Sequence, residues 1–372
     1  MQRRELYFMI VVTVATIILF FLPTGYENPE LTRNLLYEKG EVLEVDNSGV
    51  DTISIVTLGT QRLELRLLSG VFRGEIVSAK NELLGDKRQD KIFERGDRVL
   101  SIIRVNASND GIINVRAEEY YRQDLILYLV LAFVLVLILL AGRTGAKAAL
   151  SFVFTAMTFW KVLIPSFLSG YSPILVSIGI VFITTSVIVL LVGGLSRRGG
   201  VALSGAMLGV VTTALLALLF GELFKIPGTI QEYSEALLYA GYVDLNLSQM
   251  FISSIFISSA GAVMDVAMDI AAAQDELKER APHLTRRELI KSGLNVASPV
   301  IGSMTTTLLF AYSGSFMFVF MAFMAQGVPM VSILNRAFIS AEILHTMVGS
   351  FGLVLVAPIT AVLGGFIYKF RS

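Results

Sequence analysis

Cysteine is absent from the 372 residues of this chain, and charged residues are scarce. Without a thiol the protein forms no disulfide, no thiolate metal site and no cysteine nucleophile, and cysteine usage carries no information on its redox compartment. Asp, Glu, Lys and Arg make up only 16% of the residues, whereas soluble domains contain about a quarter. The net charge is zero and the sequence lacks basic runs with interleaved aromatic residues. Both features argue against nucleic acid as a partner.

What remains is strongly apolar, with 54% hydrophobic residues and a mean hydropathy of +0.70. The charges are concentrated, because residues 24–122 contain 31 of the 60 Asp, Glu, Lys and Arg residues. Elsewhere the apolar runs are long enough to cross a bilayer core of about 30 Å, which takes about 20 helical residues. We therefore predict an N-terminal signal anchor at 1–23, a β domain at 24–122 and a multi-span helical membrane domain at 123–372.

The apolar runs predict a polytopic α-helical membrane protein with eight or nine spans. The first is an uncleaved anchor, because Phe20, Phe21 and Leu22 stand where a signal-peptide cleavage site needs small residues. Polar residues at 302–307 leave open a re-entrant hairpin in place of a full crossing, and 231–242 is too polar to cross. The remaining eight candidate spans lie near 125–141, 146–165, 173–194, 201–221, 249–272, 297–313, 316–334 and 347–367.

Basic residues in the short loops predict the orientation. A cytoplasmic N-terminus places most of them in the cytoplasm and leaves only Lys225 in the outer short loops, in agreement with the positive-inside rule. The β domain is then extracytoplasmic. A count of nine spans conflicts with the positive-inside rule at one point, since it leaves Lys369 and Arg371 outside the cytoplasm. The basic residues placed inside are Arg3, Arg4, Arg143, Lys147, Arg197, Arg198, the five Lys and Arg residues of 278–291, and Arg336.

Residues 40–120 show the period of two that half-buried strands produce, most clearly in Arg62-Leu63-Glu64-Leu65-Arg66-Leu67. Asn109-Asp110-Gly111 between two such runs predicts a hairpin, since Asp-Gly supplies the positive φ angles of a tight turn. About six antiparallel strands in some 80 residues predict a small all-β barrel of OB-like size.

The candidate binding residues begin with an acidic stripe in the span near 249–272. Ser254, Ser258, Gly261, Asp265 and Asp269 recur at spacings of three and four, which places them on one helical face. A carboxylate inside hydrocarbon costs about 2.5–3.5 kcal/mol on insertion scales, so Asp265 and Asp269 are candidate ion or substrate ligands. The alternative is helix packing through small residues, with Asp269 reaching the cytoplasmic surface.

Two further polar groups are candidates for the same binding role. Asn295, Thr305 and Thr306 surround Pro299, which removes a backbone donor, so that freed carbonyls and hydroxyls could coordinate a cation. The alternative is that these hydroxyls bond to their own helix. Glu342 and His345 lie three residues apart before the last span, where an interfacial hydrogen-bonding role is the alternative. Nearby methionines favour packing over a soft metal, so no metal is assigned.

Three segments together carry a family pattern: Gly261-Ala-Val-Met-Asp265-Val-Ala-Met-Asp269-Ile-Ala271, Ser292-Gly293 with Gly302-Ser303-Met304-Thr305-Thr306-Thr307-Leu308, and Glu342 with Gly349-Ser350-Phe351-Gly352 and Pro358-Ile359-Thr360-Ala361. They resemble the YibE/F-like family of bacterial membrane proteins, which are functionally unassigned and described only as permeases. The resemblance extends over residues 40–367 and implies a multi-pass protein of the bacterial cytoplasmic (inner) membrane. The sequence departs from the family pattern at Ser303, where Thr is usual, and at Thr306, where Asn is usual.

Three function classes follow from these observations. The first is a transporter for a cation or small polar solute, coupled to cations or protons through Asp265 and Asp269. The second is a membrane-anchored export, assembly or scaffold protein whose outer β domain binds an envelope protein. An enzyme is the weakest class, because neither H-E-x-x-H nor G-x-S-x-G is present, and no cofactor is expected. The lipid bilayer is the certain partner, and a homo-oligomer is left open.

Overall fold

The computed structural model describes residues 3–26, 34–106, 108 and 110–368. It divides into two compact units, one formed by Tyr26–Val136 and the other by Met1–Gly25 together with Leu137–Ser372. The first unit is built on strands and the second on long helices. We describe each unit by itself.

Six strands form the β unit: β1 (Leu35–Asp46), β2 (Val50–Ile53), β3 (Val56–Leu67), β4 (Ile76–Leu84), β5 (Arg98–Val105) and β6 (Ile112–Tyr120). Five of them close a barrel in the circular order β1-β3-β4-β6-β5, while β2 pairs with β3 as a hairpin extension. The small barrel expected from the sequence is therefore confirmed. Five is the strand number of an OB fold.

The expectation that all strands are antiparallel is wrong at one place, because β4 and β6 pair in parallel with Lys80 opposite Arg116. The reason is geometric. Strand directions cannot alternate around a closed ring with an odd number of members, so a five-stranded barrel needs at least one parallel pair.

The predicted hairpin joins β5 to β6, which pair antiparallel. Its connection is six residues long and Gly111 is not in the left-handed region, so the two-residue tight turn is wrong. Instead, the Asn106 side-chain oxygen accepts hydrogen bonds from the backbone N–H groups of Asp110 and Gly111, at 3.1 and 3.3 Å. Asn109 itself lies outside the described residues.

Alternation along β3 builds the barrel core. Leu63, Leu65 and Leu67 point inward and are buried, while the charged residues between them are exposed. Phe93, in the long connection between β4 and β5, is also fully buried. Its backbone is held by the side chain of Gln61, a buried polar residue of β3 that accepts from the Phe93 N–H at 3.0 Å and donates to the Phe93 carbonyl at 2.9 Å.

Seven helical segments in the described part of the chain are long and apolar enough to cross a membrane. They are α1 (Arg3–Phe21), α2 (Gln123–Thr158) with its continuation through a π-helical turn (Phe159–Leu163) into α3 (Ile164–Leu168), α4 (Pro173–Val192), α5 (Arg197–Phe224), α7 (Leu247–Arg280), α8 (Arg286–Ser313) and α11 (Ala337–Ile367). The short helices are α6 (Ser234–Tyr239), α9 (Met317–Ala325) and α10 (Met330–Leu334).

The helix of residues 123–168 covers two predicted spans, 125–141 and 146–165. It is interrupted at Gly142, whose φ of 55° and ψ of −126° are not helical. Such a φ is accessible to glycine without the steric cost that a Cβ would bring. The helix therefore consists of two apolar arms, one before and one after Gly142, at the positions of the two predicted spans.

The predicted span at 316–334 is wrong as a continuous helix. It consists of a 3₁₀ turn (Gly314–Phe316), α9 and α10. Nine residues of α9 rise only about 14 Å, too little to cross a bilayer core. Gly327 with a φ of 67° and Pro329 interrupt the helix. The polar stretch 302–307, which the sequence left open as a hairpin, instead lies inside the continuous helix α8.

Helices α5, α7, α8 and α11 form the core of the helical unit. At the crossing of α5 and α11, a Cβ on Gly205 would lie 2.9 Å from Thr360 Cβ, and one on Gly352 would lie 3.0 Å from Thr213 Cβ. Residue numbers rise on one helix as they fall on the other, so α5 and α11 are antiparallel. Only small residues permit this close approach.

Contacts near both ends of α7 show how α7 and α8 run relative to α11. Near the start of α7, Ser258 contacts His345 of α11, and near its end Gln274 donates to the carbonyls of Leu289 and Ala361 at 3.1 and 2.9 Å. Helix α7 therefore runs parallel to α11 and antiparallel to α8. Consequently α8 ends, and α11 begins, at the same end of the unit.

The two ends of the helical unit differ in charge. We call the end where α5 and α8 begin the basic end. Lys147 donates to Glu5 at 3.3 Å, and Glu5 also lies beside Gly194, so α1 begins there too. We call the opposite end, with residues 222–246 and 314–336, the acidic end. The basic end carries Arg3, Arg4, Arg197, Arg198, Lys278, Arg280, Arg286 and Arg287 against Glu5, Asp275, Glu276, Glu279 and Glu288. The acidic end carries Glu222, Glu232, Glu235 and Asp244 against Lys225 and Arg336.

Candidate functional site

The polar stripe of α7 lies on one face, as its spacing predicts. Ser258, Gly261, Asp265 and Asp269 are exposed, whereas Ile270 and other residues of the opposite face are fully buried. Asp265 lies 18 residues after the start of the helix, which is about 27 Å along its axis. Both carboxylates thus occur on an accessible face of a helix long enough to cross a membrane.

Asp265 and Asp269 open into a groove between α7 and α8 with a volume of about 290 Å³. Met268 belongs to the same face, and Val300 and Met304 form the wall from α8. Among the described residues, neither carboxylate accepts a hydrogen bond or pairs with a basic side chain. The groove therefore presents two carboxylates without protein partners in this part of the chain, beside a wall of apolar side chains.

A second cluster lies nearer the acidic end, where α7, α8 and α11 meet. Ser258 Oγ lies 2.6 Å from His345 Nε2, and His345 Nδ1 lies 3.9 Å from Glu342 Oε2. The ring of Tyr312 stacks on the His345 ring at a centroid distance of 4.6 Å. The side chains of His345 and Glu342 are 16% and 22% exposed. Three helices thus hold one imidazole between a hydroxyl and a carboxylate.

The hydroxyls of α8 bond to their own helix. Thr305 donates to the Ile301 carbonyl at 2.8 Å, and Thr306 is 3.5 Å from the Gly302 carbonyl. This is the alternative that the sequence left open, and it engages the hydroxyl protons within the helix. Asn295 is exposed one turn before Pro299. None of Asn295, Thr305 and Thr306 is among the described residues that line the groove of Asp265.

The structure brings together pairs of the predicted residues, but in two places. Asp265 and Asp269 share the groove, while Glu342 and His345 share the cluster with Ser258. Along α7 the distance between Ser258 and Asp265 is about 10 Å, since seven residues rise 1.5 Å each. The same accessible face of α7 connects the two places through Gly261, which carries no side chain.

Sequence reasoning missed Tyr312 and Gln274. Gln274 is fully buried where α7 crosses α8 and α11, and it bridges the carbonyls of Leu289 and Ala361. A side-chain amide in an otherwise apolar stretch, at 271–274, was the signal that could have identified it. Tyr312 gave no signal, because an aromatic residue near the end of a span is an ordinary membrane anchor.

Metal coordination by side-chain clusters finds no support in the described residues. No group of three or more His, Asp or Glu side chains that could hold a metal ion occurs among them. Met268 and Met304 line the groove beside the carboxylates, whereas Met264 is buried in the helical core.

Comparison with known proteins identifies one family. The family model described as YibE/F-like protein matches residues 129–370. No curated protein and no solved structure matches the chain. The match includes both polar places of the helical unit but begins well after residue 40, so the β barrel, which the resemblance was expected to include, lies outside it.

Proposed function

Since the chain belongs to the YibE/F-like family, we propose that it is a membrane transporter that moves a cation or a small polar solute along the polar face of α7. One observation carries this proposal: Asp265 and Asp269 stand on an accessible face of a long apolar helix. A carboxylate at the centre of the hydrocarbon core costs about 2.5–3.5 kcal/mol on insertion scales, and less toward the edges of the core. That cost is avoided where the face lines a hydrated path, and such a path is what transport requires.

The two polar places supply the steps of such a path. Glu342 and His345 would exchange protons or cations at the acidic end, and Asp265 and Asp269 would receive them farther along α7. The gap of about 10 Å between Ser258 and Asp265 is one that two or three waters bridge. Transport is then coupled to protons because protons and cations compete for the same carboxylates, and a protonated carboxyl no longer attracts a cation.

The charges support an orientation in the bacterial inner membrane. We place the basic end in the cytoplasm by the positive-inside rule. With two arms of the 123–168 helix, eight segments would cross and α11 would end in the cytoplasm, unlike in the nine-span count. Lys369 and Arg371, on which that count disagreed with the rule, lie outside the described residues. Helix α1 then leads outward, and the β barrel is extracytoplasmic. An alkaline phosphatase fused after Asn109 should be active, and an inactive fusion that is stably expressed would reverse the orientation.

Flux into proteoliposomes tests the transport proposal, with Asp265→Asn as the central variant and a panel of cations and small solutes. The amide keeps the shape of the carboxyl but does not ionise. Uptake by the wild type should fall as pH is lowered, and Asp265→Asn should abolish both uptake and its pH dependence. Asp244→Asn, which removes an exposed carboxylate outside the groove, is the matched control. Transport by a correctly inserted Asp265→Asn protein at the wild-type rate at every pH would refute the proposal.

The alternative, an export or assembly partner, is favoured by one feature of the β unit. Ile53 and Ile55 at the tip of the β2–β3 hairpin are 66% and 69% exposed, and two apolar side chains together at a hairpin tip offer a contact for another protein. Crosslinking from these two positions in cells would capture one specific envelope protein if this function is correct. The Ile53→Ser/Ile55→Ser variant would then lose function in cells without losing flux in liposomes.

A further inference from the structure

Two cavities adjoin Glu342 at the acidic end of the helical unit. The first, of about 150 Å³, is lined almost entirely by apolar side chains of α8, α9 and α11 and of the 3₁₀ turn before α9. The second, of about 520 Å³, extends to Gln231 and Glu232 in the connection between α5 and α7. Phe316 and Glu342 line both cavities, so one carboxylate and one aromatic ring stand between them.

The apolar cavity has the lining of a hydrocarbon site. Its walls come from Leu309, Phe316, Phe320, Ile339, Ile343 and Met347. Ligand pockets combine such walls with a few polar groups that fix orientation. Glu342 is the charged group at this position, and its side chain is mostly buried at 22% exposed. The cavity can therefore accommodate the apolar part of a ligand, with a charged group of the same ligand next to Glu342.

The charges of the two cavities favour a cation. Their described lining residues include Glu232 and Glu342 but no Lys or Arg. Arg336, the nearest basic residue in sequence, places its guanidinium over the Phe323 ring at 5.3 Å, and neither of these residues lines a cavity. The N-terminus of α11 contributes about half a positive charge, which the full charge of an ionised Glu342 outweighs. His345 faces Glu342 from one turn away.

The chemistry favours an organic cation over a metal ion. Calcium takes six to eight oxygen ligands and magnesium an octahedral set. Here the side-chain oxygens are spread over two cavities, with Ser313 and Thr346 in the first, Gln231 and Glu232 in the second and Glu342 in both, among apolar and aromatic groups. A carboxylate near aromatic rings is instead the environment that binds quaternary ammonium groups. Phe316 and Phe338 supply the rings here.

We infer that the two cavities bind a monovalent amphipathic organic cation, with its charged centre beside Glu342 and its apolar part in the cavity of Phe316 and Phe320. The inference rests on the proposed function in one respect, since it names the class of cargo that the transporter takes up at its acidic end. Binding itself does not depend on transport. The two can therefore be tested separately.

Binding of radiolabelled tetraphenylphosphonium to the purified full-length protein is the test, measured by scintillation proximity. Binding should be saturable and displaced by benzyltrimethylammonium but not by neopentylbenzene, its uncharged isostere. Glu342→Gln should weaken binding at least tenfold. Glu235→Gln, which removes an acidic-end carboxylate outside both cavities, should bind like the wild type.

A second variant covers the case in which Glu342→Gln does not fold. Ala337 is exposed and lines the larger cavity, so Ala337→Trp should fill it and weaken binding without removing a charge. Asp265→Asn should bind the probe normally even where flux is lost, which separates this site from the groove. Equal binding by wild type, Glu342→Gln and Ala337→Trp, or equal displacement by the neutral isostere, would overturn the inference.

Discussion

Replacing Gln61 by leucine should destabilise the β barrel more than any other change of one polar side chain to an apolar one in that unit. The Gln61 side chain is fully buried and makes four hydrogen bonds. It donates to Asn47 Oδ1 at 2.8 Å and to the Phe93 carbonyl at 2.9 Å, and it accepts from Asn81 Nδ2 and from the Phe93 N–H at 3.0 Å each. Leucine fits the volume but replaces none of these bonds.

The magnitude follows from the groups left behind. The N–H and C=O groups of Phe93 lose their side-chain partner in a buried environment, at about 1–3 kcal/mol each. The greater apolar burial of leucine offsets about 1–2 kcal/mol. With the middle value of each range, a net loss of about 2.5 kcal/mol remains, which is a large part of the 5–15 kcal/mol that stabilises a typical domain.

Urea unfolding of a fragment of residues 34–122, followed by circular dichroism, measures this loss. The fragment contains all six strands and should fold alone with cooperative unfolding. At about 1 kcal/mol per molar urea, the midpoint should fall by about 2.5 M. Gln89→Leu changes an exposed glutamine and should shift stability by less than about 0.5 kcal/mol. A Gln61→Leu midpoint equal to that of Gln89→Leu would show that the hydrogen bonds to Phe93 do not hold the barrel together.

Two further predictions concern charge and packing. Burial raises the pKa of Glu119, but hydrogen bonds from Lys91 and Arg122 outweigh it and lower the pKa below its ordinary value of 4.5. The stabilisation that ionised Glu119 gives to the folded barrel is therefore present above pH 4.5 and is lost as pH falls through the lowered pKa. Glu119→Gln should then flatten the acid side of the plot of the fragment's unfolding free energy against pH. An unchanged plot would contradict this prediction. Gly209→Val should lower the melting temperature of the full-length protein, because a Cβ there would lie 2.7 Å from Val263 and 2.8 Å from Val356. Gly200→Val on the same helix meets open space and should leave the melting temperature unchanged. Equal melting temperatures of the two variants would contradict the close packing.

Local periodicity was sufficient for the parts of the structure that depend on local geometry. Period two in β3 identified Leu63, Leu65 and Leu67 as inward-facing, because successive strand residues alternate between faces. Spacings of three and four placed Asp265 and Asp269 on one face of α7 for the same kind of reason. Neither result required knowledge of what the element packs against.

Contacts between residues that are distant in sequence could not be predicted from local periodicity. The contact of Ser258 with His345 joins residues 87 apart, and the parallel pairing of β4 with β6 depends on closure of the whole barrel. The span wrongly predicted at 316–334 has another cause. A hydropathy window measures composition, and α9 with α10 is as apolar as a continuous span, while Gly327 and Pro329 alone decide that the helix breaks.

The crossing of α5 and α11 is reciprocal. Gly205 of α5 faces Thr360 of α11, and Thr213 of α5 faces Gly352 of α11, with Gly209 and Val356 between them. A half-turn about an axis perpendicular to both helices exchanges these pairs, and the same rotation exchanges the two ends of the unit. The same rotation would exchange Gly209 with Val356, which differ, so the two outer contacts are equivalent and the centre of the crossing is not. Two equivalent glycine–threonine contacts therefore flank a centre where, of these two helices, only α11 contributes a branched side chain, against the bare backbone of Gly209.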